Sequence, residues 1–148
     1  MYKKLLSVGL ILTSSQLFAA DYDFKPGLWQ TTMTTEVLEI DAPPHIVNMM
    51  SKLPPPPTET ECITDINTIF DPEPDDVDEC TTTTNRVSSQ KMTFETKCTG
   101  EDGDSNAVGE IHFNGTTLTS SLILSNVGGP ITLKMKILGD GKYIGACK

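Results

Sequence analysis

The sequence predicts a mainly β protein of one domain, an antiparallel meander of about six to eight strands curved into a sheet or partly open barrel, with one or two short helical turns. Three observations carry this. Apolar residues recur with period two along most of the chain, and no long stretch has the periodicity of an amphipathic helix. Turn signals, among them Asn114-Gly115, Val127-Gly128-Gly129-Pro130 and Gly139-Asp140-Gly141, cut the second half into strand-length pieces. Four cysteines, Cys62, Cys80, Cys98 and Cys147, all lie beyond an apolar leader, the arrangement of an exported chain stapled by two disulfides.

The leader comes first. Met1-Tyr2-Lys3-Lys4 is basic, Leu5 to Thr13 is apolar, and small residues precede Asp21. These are the parts of a signal peptide over residues 1–20, cleaved after Ala19 or Ala20. The apolar run is well short of the roughly 20 residues that a spanning helix needs. No cysteine stands directly after the cleavage region, so no lipid-bearing N-terminal cysteine is expected. Loss of Lys3 and Lys4 leaves nine basic against twenty acidic residues, a net charge of −11. Such a surface repels nucleic acid and anionic head groups, so charged partners should be basic or metallic. The remaining stretch, 21–148, suits a single domain in which disulfides supplement a modest core.

Gly27 to Val37 opens the sheet, with Trp29, Met33 and Val37 on one side of a Thr-rich strand. A Pro-rich surface excursion follows over 41–60, since Pro43-Pro44 and Pro54 to Pro57 lack the donors a ladder requires. Within it, His45 to Leu53 places Ile46, Met49 and Met50 at helical spacing, with Pro44 in the first turn. Cys62 to Phe70 can hold one helical turn capped by Thr64 or Asp65. An acidic loop over 71–79 then crowds Asp71, Glu73, Asp75, Asp76, Asp78 and Glu79 together with two prolines. It lacks the ligand alternation and glycine of an EF-hand and reads as a solvated stretch, with no metal site.

Cys80 to Arg86 and Lys91 to Cys98 flank a turn at Val87 to Gln90. A hairpin centred on Ser89 sets Cys80 opposite Cys98, Thr82 opposite Thr96 and Thr84 opposite Phe94, with Met92 and Phe94 inward. Directly opposed Cα atoms lie within disulfide reach, which pairs Cys80 with Cys98 and leaves Cys62 for Cys147. A zinc site is the other use of four cysteines, but no C-x-x-C knuckle is present. Glu101-Asp102-Gly103-Asp104 reads as a turn, and Asn106 to Leu124 as a second hairpin around Asn114-Gly115. Its expected register faces Phe113 with Thr116, Ile111 with Leu118 and Ala107 with Leu122. The next turn, centred between Val127 and Gly128, sets Leu124 by Ile131, Leu122 by Leu133 and Leu118 by Ile137. Gly139-Asp140-Gly141 is expected to turn the chain once more, into a last short strand from Lys142 to Cys147.

No catalytic or cofactor constellation appears: there is no G-x-S-x-G, no H-E-x-x-H and no phosphate loop. No cofactor and no enzymatic activity are expected. The imidazoles are His45 and His112, and His112 shares a strand side with Glu110, opposite Thr117, which reads as an outward sheet surface. Trp29, Phe113, Leu122 and Met135 fall on the apolar side of their strands. Curling would gather them on a concave face that either fills as core or holds an apolar small molecule.

Lys25-Pro26-Gly27-Leu28-Trp29, Thr60 to Thr64, Asp78-Glu79-Cys80, Lys97 to Gly100, the Gly109 to Gly115 hairpin and Gly145-Ala146-Cys147 form an ordered set. Together they resemble the bacterial envelope family of unknown function numbered 3617, over essentially Phe24 to Cys147. The resemblance implies a small exported protein of Gram-negative bacteria and a periplasmic address. It implies no reaction and no catalytic residue. The chain departs from the family in its longer acidic loop before Cys80 and fewer methionines in the excursion. The expected role is non-enzymatic: a monomeric periplasmic protein that binds an apolar small molecule or serves the envelope. The alternative is a protein-interaction module, such as an inhibitor of a basic envelope-attacking enzyme, using the acidic loop.

Overall fold

The computed structural model describes residues 22–70, 79–100, 103–127, 129 and 131–148. The expected signal peptide and nearly all of the acidic loop lie outside these described residues. Among the described residues, seven strands form one antiparallel sheet, curled into a half-barrel. They are β1 (Gly27–Asp41), β2 (Glu59–Ile63), β3 (Glu79–Ser88), β4 (Lys91–Gly100), β5 (Gly103–Asn114), β6 (Thr117–Val127) and β7 (Thr132–Gly145). β3 to β7 run as a meander; β7 then pairs with β1, and β2 lies on the far side of β1. Register shifts at Val37/Glu39 and Arg86/Ser88 insert bulges, which bend and twist a strand locally.

The excursion carries α1 (Pro44–Met50), with proline in the first turn where its missing N–H costs nothing. The single turn after Cys62 is a 3-10 helix, Ile66–Phe70, and Asp65 Oδ1 accepts from the Asn67 N–H at 2.9 Å. β2 is a strand not expected from the sequence, where Glu59–Ile63 reads partly as excursion and partly as turn. Its five residues form a strand because β1 pairs with them, Gly27 opposite Ile63 and Thr31 opposite Glu59.

The β3–β4 register is the expected one, with Cys80 opposite Cys98 and Thr84 opposite Phe94. The disulfides are Cys80–Cys98 and Cys62–Cys147, with Cα atoms 4.0 and 5.6 Å apart. The other two hairpins slip. In β5–β6, Asn114 pairs with Thr117, Phe113 with Leu118 and Ile111 with Ser120. The loop is therefore Gly115-Thr116, with only Gly115 at positive φ (65°), the sign pattern of a type II′ turn. Tertiary contact is the reason: the Gly115 N–H donates to Asp23 O and its carbonyl accepts from the Lys25 N–H.

In β6–β7, Leu124 faces Met135, Leu122 faces Ile137 and Leu118 faces Gly141. The expected turn at Gly139-Asp140-Gly141 is absent, and β7 runs unbroken through both glycines, neither at positive φ. They are small for a different reason. Leu118 Cγ sits 2.6 Å from where a Cβ on Gly141 would be, and Ser120 Oγ occupies the corresponding place at Gly139. Leu122 likewise crowds Gly109, its Cβ 2.6 Å from that position. Large-on-glycine pairing thus selects the register. Both slips move the partner by an even number of residues, so each side chain keeps its expected face.

The core lies at one end of the concave face. Ile66, Met92, Phe94, Ile111 and Phe113 form a buried cluster, against which Tyr22, Phe24, Leu118 and Leu122 pack. Phe24 stacks on the fully buried Trp29 at 4.8 Å and meets Phe113 edge-on at 6.1 Å. Trp29 Nε1 donates to Lys25 O at 2.9 Å, satisfying its one polar atom. The segment before β1 therefore plugs this end of the half-barrel. Partial burial there pushes the Tyr22 hydroxyl pKa up, against a smaller lowering from Arg86.

Candidate functional site

Along the concave face, packing is dense at the plugged end and loosens toward the middle. A cavity of about 340 Å³ opens there. Its floor is Ser120 on β6 opposite Gly139 on β7, two small residues side by side in a row of large ones. Leu118, Leu122, Ile111, Phe94 and Met33 surround them, and Ile66 and Ile69 of the 3-10 helix complete the lining. Neither a leucine nor an isoleucine fits at Gly139 without displacing Ser120, so the hollow is built into the strand pairing. The size lies at the lower end of the range for small-molecule sites.

Two carboxylates stand at the edge of this space. Trp29 opposes Glu61 and Thr31 opposes Glu59 across β1–β2. Opposed residues share a face, so both glutamates project on the concave side beside Thr31 and Met33. No lysine or arginine lines the cavity, and neither glutamate has an ion pair among the described residues.

The four residues expected on an apolar ligand face do share the concave side, but they do not converge. Trp29 and Phe113 are spent in the plug, 0% and 3% exposed. Leu122 lines the cavity. Met135 belongs to a second, larger space near the other end, of about 620 Å³, between β1, β7 and Leu53 to Pro56. The residues that complete the cavity, Glu59, Glu61, Ile66 and Ile69, were hidden in a segment without strand-length alternation. Ser120 and Gly139 leave a trace: they interrupt two otherwise apolar alternations.

The convex side carries the polar chemistry. His112 opposes Thr119, not Thr117, and its Nε2 lies 2.9 Å from Glu110 Oε1. Lys91 Nζ donates to Glu110 Oε2 at 2.7 Å. The Lys91 hydrogen bond, then the one from His112, holds the Glu110 carboxyl below the usual carboxylate range. All three side chains are partly solvated, as expected of an outer sheet surface. Among the described residues no helix is long and apolar enough to cross a membrane. Two disulfides point to an oxidising environment outside the cytoplasm.

Comparison with curated proteins and with solved structures returns no match. A family model does match, over residues 24–147, which span the whole sheet, both bridges and the cavity. The chain therefore belongs to the family described as protein of unknown function, DUF3617.

Proposed function

We propose that this chain is a non-enzymatic, monomeric protein of the bacterial periplasm that holds an apolar small molecule in the cavity over Ser120 and Gly139. The observation that carries the reading is the paired small floor: side chains that would close the hollow are missing from two adjacent strands at one level. A face meant only as core would fill that level. Neither histidine lines the space, since His45 belongs to α1 and His112 is convex, which favours binding over proton-transfer chemistry. The leader and the disulfides support the exported address.

An apolar dye that brightens out of water tests this. Saturable binding with a change in Trp29 emission is expected, because Trp29 lies two residues along β1 from the cavity-lining Thr31. Ser120→Leu should fill the floor and weaken dye binding at least about tenfold while the variant stays folded. Unchanged binding by a folded Ser120→Leu protein would place the dye elsewhere, and no binding by the parent would leave the face a loosely packed core.

A further inference from the structure

The cavity joins apolar walls to a rim of one charge sign. Glu59 and Glu61 stand on the concave side of the edge strand β2, and no basic side chain among the lining residues neutralises them. Both are exposed to solvent, while most of the side chains lining the space beneath them are apolar. The whole chain is acidic as well, with a formal charge of −9, which concentrates cations near its surface. A neutral apolar ligand would gain nothing from such a rim, and an anionic one would be repelled.

We infer that the occupant is an amphipathic cation, an apolar body bearing an amine, seated with its hydrocarbon over Ser120 and Gly139 and its ammonium between Glu59 and Glu61. This rests on the cavity being a binding site and adds the chemical class of the ligand. The hydrocarbon supplies most of the affinity through buried area. The two solvated carboxylates supply selectivity, because exposed ion pairs are individually weak and screened by salt.

Decylamine, decanol and decanoate at neutral pH, each titrated below its aggregation limit, separate the contributions through Trp29 emission or displacement of the apolar dye. The amine should bind roughly three- to tenfold more tightly than the alcohol, and decanoate more weakly than either. Glu59→Gln/Glu61→Gln should erase the amine's advantage and leave decanol unchanged. Glu36→Gln/Glu39→Gln removes the same charge opposite Lys136 and Lys134 on β7, on the convex side, and should leave the advantage in place. Equal binding of amine and alcohol by the parent overturns the inference while the cavity reading stands. An advantage that survives in the Glu59/Glu61 variant also overturns it, placing the selectivity elsewhere, and one that disappears equally in the Glu36/Glu39 variant overturns it by tracing selectivity to net charge. If none of the three ligands binds, the cavity reading itself fails.

Discussion

Gly27 shows how much one position can depend on its neighbours. It is buried, with φ of 150°, and a Cβ there would meet the Tyr143 ring and Gly145 O, the latter at 2.5 Å. Tyr143 in turn meets Trp29 edge-on at 6.1 Å, and Lys25 Nζ lies 4.2 Å above the Tyr143 ring. A methyl at Gly27 therefore pushes on the aromatic plug through Tyr143. Gly27→Ala should cost about 2–3 kcal/mol in urea unfolding, from backbone strain and overpacking together. Native Trp29 emission should shift with it, and a loss below about 0.5 kcal/mol would mean that the β1 entry relaxes freely.

At the scale of elements, the β4–β5 pair is joined on its outer face by Lys91, Glu110 and His112. The hydrogen bond from Lys91, followed by that from His112, lowers the Glu110 carboxyl below its ordinary range. A carboxyl depressed in the folded state stabilises the fold above its unfolded value and stops doing so as pH falls through the folded value. Glu110→Gln should therefore lower the melting temperature slightly at about pH 7, and the difference from the parent should vanish near pH 2. A gap that persists in acid would mean that Glu110 acts through packing. The β3–β4 hairpin was legible from sequence because its cysteines and its Met92/Phe94 alternation agree on one register. The β5–β6 hairpin was not, because Asn114-Gly115 signals a turn one residue early when the neighbouring Tyr22–Lys25 segment is out of view.

For the molecule as a whole, the two bridges constrain very different lengths of unfolded chain. Cys62 and Cys147 are 85 residues apart in sequence, and Cys80 and Cys98 are 18 apart. In the chain-entropy account the long loop contributes roughly 4–5 kcal/mol and the short one roughly 3 kcal/mol. Cys62→Ser/Cys147→Ser should thus lower stability further than Cys80→Ser/Cys98→Ser in urea titrations. Equal losses would speak against unfolded-chain entropy as the source. The long bridge also ties β2, the edge strand that carries Glu59 and Glu61, to the C-terminal residues beyond β7. Its removal should loosen the cavity rim before the β3–β4 edge.

Period-two alternation is enough to assign faces, because a side chain's side of a sheet depends only on the parity of its position. That is why Trp29, Phe113, Leu122 and Met135 share the concave side even where their expected partners were wrong. Alternation is blind to slips of two or four residues, which preserve parity. Those slips are settled in three dimensions by shape: Leu118 over Gly141, Ser120 over Gly139 and Leu122 over Gly109. Gly139 and Gly141 read as a turn along the chain because local composition cannot distinguish a flexible residue from one kept small by a neighbour across the sheet. Whether the apolar face closes as core or opens as a cavity depends on which small residues end up side by side. That is a property of the assembled strands, since Ser120 and Gly139 are far apart along the chain and adjacent only once β6 and β7 have paired.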